Sequence, residues 1–151
     1  MKRQKWAEGS IVKIDMGDGT YCFGQCISDP ILGFFDLRTA DVPPVEEIAK
    51  YGFLFCVWVM RYAVTQGIWE KIGKAPFDRK AVESLKFFKQ DSISGRFYIY
   101  DPVTDIPVSY EDTIGLERAA AWEPEHIEDR LRDHFAGRPN VWVESMKPRL
   151  N

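Results

Sequence analysis

Glu8-Gly9-Ser10-Ile11-Val12-Lys13-Ile14-Asp15-Met16-Gly17-Asp18-Gly19-Thr20-Tyr21-Cys22-Phe23-Gly24-Gln25 is the stretch from which the fold is read. Val12, Ile14 and Met16 recur at every second position, the period of a strand with one buried face. Asp18-Gly19 then supplies a strong hairpin signal, because both central residues of a tight hairpin turn need φ > 0. With these two as the turn, Met16 faces Tyr21 and Ile14 faces Phe23. Val12, Ile14, Met16, Tyr21, Phe23 and Ile27 then share one apolar face. The other face of the return strand holds only Cys22, Gly24 and Cys26, which suggests close approach by another element or a bend at Gly24. The chain is therefore expected to open with an antiparallel sheet.

Outward from the hairpin, Ser28-Asp29-Pro30 is a turn signal and Ile31 to Leu37 a third strand. Pro43 and Pro44 open a short helical segment through Lys50, with Gly52 as its stop. Phe53 to Val64 is almost wholly apolar and reads as a long central strand. Trp69 to Gly73 reads as a strand and Asp78 to Ser84 as one helical turn. Leu85 to Lys89 and Arg96 to Asp101 form a second hairpin, turning through Asp91 to Gly95. Glu111 to Ala121 reads as a short helix. A longer helix starts at Pro124, carries Ile127, Leu131 and Phe135 on one stripe, and stops at Gly137. Glu128 and Arg132 are spaced to support it as an i,i+4 pair. Asn140 to Val143 reads as a last short strand. The expected class is α+β: a mainly antiparallel sheet, SH3-like or a partly open barrel in the N-terminal half, with C-terminal helices packed on it. No repeat, low-complexity run or linker divides residues 1–151, so one domain is expected.

Composition narrows the function. An apolar fraction of 45% and a charged fraction of 28% are those of a globular protein expected to be soluble. A net charge of −3 argues against a general nucleic-acid partner and against electrostatic membrane binding. Lys2, Arg3 and Lys5 are too few for a nucleic-acid arm, and no apolar core follows them as in a signal peptide. The apolar run Phe53 to Met60 is too short to span a bilayer. Cys22, Cys26 and Cys56, an odd count without CxxC spacing, fit neither a disulfide framework nor a zinc site and read as reduced core residues. A cytoplasmic location is the expectation.

Catalytic signatures are sparse. His126 and His134 are the only histidines. On one straight helix they stand about 80° and roughly 12 Å apart, so one metal ion cannot take both. No HExxH motif, nucleophile elbow or phosphate-binding glycine loop occurs. Gly17-Asp18-Gly19 resembles half of such a loop but joins strand to strand. Carboxylate pairs such as Asp101/Asp105 and Glu111/Asp112 carry no mark of acid–base work. No cofactor, metal or catalytic residue is expected.

Charge distribution is more informative. Asp101 to Asp129 holds nine acidic residues and one basic one, Arg118, a net −8; with −3 for the whole chain, the remainder is +5. Such asymmetry suits an electrostatic face for a basic partner, although acids in a helix's first turn also suit its dipole. The residues marked for a partner are Glu111, Asp112, Glu117, Glu125, Glu128 and Asp129, with Trp122 as a possible aromatic anchor or core residue.

The opening hairpin also resembles the start of the immunity protein 26 family, whose members carry a G-D-G-x-Y-x-x-G-Q/R-V pattern. Here Gly17 to Gln25 follow it, and Cys26 replaces the final valine. Phe34-Phe35-Asp36 and Trp69 to Gly73 are similar to later parts of that pattern. The resemblance implies a cytoplasmic protein of bacterial polymorphic-toxin systems that binds a cognate toxin domain and blocks it by occlusion, without catalytic residues. Two other readings stand beside it. One is an SH3-like module binding nucleic acid or peptide. The other is a small hydrolase using His126 or His134 with nearby carboxylates.

Overall fold

The computed structural model describes residues 1–150. A first sheet is built from β1 (Ser10–Asp15), β2 (Tyr21–Ser28), β3 (Ile31–Phe35), β4 (Phe53–Trp58) and β5 (Glu70–Lys74), in the order β4-β3-β2-β1-β5, with every pair antiparallel. A second sheet holds β6 (Phe87–Gln90), β7 (Phe97–Ile99), β8 (Ile106–Val108) and β9 (Glu117–Arg118), in the order β8-β7-β6-β9, with β9 parallel to β6. The helices are α1 (Val45–Ile48), α2 (Tyr62–Thr65), α3 (Arg79–Glu83), α4 (Pro124–Ala136) and α5 (Val141–Met146). The class is α+β with a mainly antiparallel sheet, as expected. The first sheet ends at β4 and β5, which do not pair with each other, so no barrel closes.

The hairpin forms, but one residue out of the expected register. Asp15 pairs with Tyr21 and Ile14 with Cys22. Asp18 does not take a positive φ; Gly17 (80°) and Gly19 (87°) do. A two-residue turn centred on Asp18-Gly19 would need both of those residues left-handed. The loop is instead Gly17-Asp18-Gly19, closed by Met16 N–H donating to the Thr20 carbonyl at 3.0 Å. The side chain of Asp18 accepts from the Thr20 amide at 3.0 Å and from Arg38. A one-residue slip turns every side chain of a strand over. Cys22 and Cys26, not Tyr21 and Phe23, therefore join Val12, Ile14 and Met16.

This register leaves the first sheet buried on both sides. On one, Cys22 and Cys26 meet Leu32, Phe34 and the α4 residues Ile127 and Leu131. The small return-strand side chains give another element room there, as their size suggested. On the other, Ile11, Phe23 and Phe35 pack with Ile48 of α1 and with Ala75. The second sheet docks through Trp58, whose ring lies 5.9 Å from Phe87 and 4.8 Å from Tyr100.

Four local expectations are corrected. Phe53 to Val64 is not one long central strand. β4 ends at Trp58 and lies at the sheet edge, and the chain then turns into α2, whose Ala63 and Val64 are buried. A continuous apolar run cannot distinguish a strand followed by a buried helix from one long strand. Glu111 to Ala121 is not a helix. A single 3-10 turn, Glu111–Thr113, gives way to Gly115 at φ 85° and then to β9. Asn140 to Val143 is helical, because the Asn140 side chain accepts from the Val143 amide at 3.0 Å and caps α5. Arg132 pairs with Asp129 at 3.3 Å, not with Glu128.

Candidate partner-binding surface

The acidic half is organised by α4. Pro124 occupies its first turn, Gly137 ends it at φ 70°, and Ile127 and Leu131 are fully buried. The flanking polar residues fasten this helix to its surroundings. Glu128 accepts from Trp69 Nε1 at 3.0 Å. Asp129 accepts from Trp142 Nε1 at 3.2 Å and from Arg132, which also donates to the Met16 carbonyl. Arg130 donates two parallel bonds to Glu117, at 3.0 and 2.8 Å, and its guanidinium lies 3.6 Å over the Phe55 ring. Such a forked pair is the strong form of a charged hydrogen bond. Glu123 accepts from the Tyr62 hydroxyl, and that bond, with burial behind it, pushes the phenol up to about 12.

The residues marked for a partner accordingly separate. Trp122 is 3% exposed, so it stands in the core and presents no anchor in this conformation. Glu117, Glu128 and Asp129 are half-buried and hydrogen-bonded within the chain. Glu111, Asp112 and Glu125 are exposed. Asp112 accepts from the Ser109 amide and hydroxyl, while Glu111 and Glu125 have no side-chain partner among the described residues. The acidic run also stops one residue short of its counter-charges, since Arg130, Arg132 and Arg138 follow it against Asp133. The folded surface is therefore less acidic than the linear segment. The function of Glu117 as the partner of Arg130 could not be read locally, because the two lie on different elements and their meeting depends on how α4 packs.

The histidines do not assemble a site. His126 stacks on Trp142 with ring centroids 3.7 Å apart. His134 is exposed and stands edge-on to Phe135. Among the described residues no group of three or more His, Cys, Asp or Glu is placed to hold a metal ion. Asp105 accepts from Lys89 at 2.8 Å and from the Asp101 amide, so the Asp101/Asp105 pair secures a turn and a cross-strand tie. Among the described residues no helix is long and apolar enough to cross a membrane.

A family model described as Immunity protein 26 matches residues 7–99. No curated protein and no solved structure matches the chain. The matched region runs further than the quoted motif, taking in the whole first sheet, α1 to α3, β6 and β7. β9, α4, α5 and the acidic run lie beyond it.

Proposed function

The chain belongs to the immunity protein 26 family, and from that premise we propose that it binds a cognate bacterial toxin domain in the cytoplasm and neutralises it by occlusion. Family membership is the observation that carries this reading. Occlusion needs a rigid surface and no chemistry of its own, so the protein acts as a binder and not as an enzyme. The doubly buried first sheet is suited to be the rigid part. The exposed carboxylates of Glu111, Asp112 and Glu125 are suited to attract a basic toxin and speed encounter. Glu117, Glu128, Asp129 and Trp122 serve the interface indirectly, by holding β9 and α4 in place.

Two experiments test the reading. Co-expression with a cognate toxin, sought in the neighbouring gene, is expected to restore growth, and persistent toxicity would sink the proposal. Reversing Glu111, Asp112 and Glu125 to lysine is expected to slow association several-fold, on the order of 3–10, at low ionic strength, with the rates converging as salt rises. Rates unchanged at low salt would remove these three residues from the encounter surface.

A further inference from the structure

Between the Tyr110–Arg118 segment and α5 lies an open cleft of about 380 Å³. Tyr110, Ile114, Leu116, Val143 and Met146 give it apolar walls, and the buried Trp122 also borders it. Ile114 is 59% exposed. Glu117, Arg118 and Lys147 supply the charged part of the lining; Glu117 is taken up by Arg130 and Lys147 by Glu144. These wall residues all fall outside the family-matched region.

One charge in the cleft has no answer. Arg118 is half-buried and borders the cleft, with its guanidinium 4.8 Å over the Phe88 ring. It donates to the Met146 carbonyl at 3.0 Å and to the Lys147 carbonyl at 3.4 Å. Among the described residues no carboxylate comes within ion-pair distance of it, in contrast to Arg130, which is forked onto Glu117. Burial, and then the like charge of Arg149, hold Arg118 below the usual arginine range. Arg149 also lacks a carboxylate among the described residues, and its backbone is clamped by the Gln90 side chain. Arg118 also lines a more open hollow beside the Asp91–Gly95 turn, where it is joined by Arg149 and Asp91. A partly desolvated cation with only neutral acceptors gains much from an incoming carboxylate, and a guanidinium suits a planar one.

We propose that this cleft is where the toxin docks an apolar side chain, with a neighbouring carboxylate of the same segment set against Arg118 and Arg149. The inference rests on the immunity reading and adds to it the chemistry of the contact. The exposed acids act at long range on a basic partner. The cleft acts at short range and selects, because a partner without the carboxylate leaves the half-buried Arg118 with neutral acceptors only. An aspartate or glutamate side chain and a chain terminus both offer that carboxylate.

The test is the binding of the full chain to the cognate toxin domain identified by growth rescue, with Ile114→Asp, Arg118→Gln and Arg149→Glu as variants and circular dichroism to confirm their folding. Each is expected to weaken binding about tenfold or more, chiefly through faster dissociation. Arg149→Glu and Ile114→Asp keep the question open to experiment if Arg118→Gln does not fold. Wild-type binding with all folded variants within twofold of it would overturn the cleft while leaving the immunity reading intact. No binding by the unaltered protein would overturn both. A concentration-dependent dimer abolished by Ile114→Asp would assign the cleft to a second copy and overturn the proposal. A toxin shortened at its C-terminus that loses its sensitivity to Arg118→Gln would place the carboxylate at the chain end; retained sensitivity would place it on a side chain.

Discussion

Cys22 and Cys26 lie on the α4 side of β2 and are fully buried, while Cys56 on the edge strand β4 is half-buried. Burial pushes the first two thiols up to about 12 and that of Cys56 up to about 11. The thiolate is the reactive form, so both access and ionisation favour Cys56. Alkylation of the native protein at pH 8, read by peptide mass spectrometry, is therefore expected to modify Cys56 first. Cys22 and Cys26 should react only once denaturant unfolds the chain. Equal labelling of all three in the native state would contradict this placement. That the cysteines are unpaired was legible from their odd number and spacing. Which face of the sheet two of them occupy was not, because that depends on the φ of Asp18, which no residue pattern reports.

At the scale of elements, α4 was the most legible part of the molecule and the segment before it the least. Pro124, the Ile127–Leu131–Phe135 stripe and Gly137 all point to one helix, so local and tertiary preferences agree. Glu111 to Arg118 has no such agreement. Its structure follows from Gly115 and from pairing with β6, a contact between residues far apart in sequence. The hydrogen-bonding roles of Glu117, Glu128 and Asp129 depend equally on packing, and a run of acids in sequence could not separate ties from free surface charge. The weight of α4 can be measured. Leu131 is fully buried in the cluster that joins this helix to β1, β2 and β3. Leu131→Ala removes that apolar volume from a filled site and is expected to cost about 2–5 kcal/mol in denaturant unfolding. Leu150, 68% exposed, serves as the control, and Leu150→Ala should stay within about 0.5 kcal/mol. A comparable small loss for both would mean that α4 is not packed as described.

For the whole molecule, ties within each sheet, within the C-terminal helices and between α2 and the start of α4 involve groups whose charge state responds to pH. Asp133 accepts from Asn140, which caps α5, and from Arg138, and these bonds hold its carboxyl below the ordinary range. Asp18 is lowered chiefly by its bond from Thr20, Asp105 by Lys89, and Asp91 by the Ser94 and Ile93 amides of its own turn. A carboxylate whose pKa is lower folded than unfolded contributes stability that is complete above its unfolded value, about 4 for aspartate, and that fades as pH falls through the folded value. Tyr62 has the opposite sign. Its folded pKa of about 12 exceeds the ordinary tyrosine value of 10.0, so its contribution is complete below the unfolded value and fades as pH rises through the folded one. The melting temperature is thus expected to be flat near neutrality, to fall below about pH 4, and to fall again between about pH 10 and 12. Asp133→Asn should shrink the acid limb and Tyr62→Phe the alkaline limb, each leaving the other in place. Scanning calorimetry across this range decides the matter. If Asp133→Asn left the acid limb unchanged, the α4–α5 junction would not be held by that carboxylate, and the shape of the cleft beside α5 would need another support.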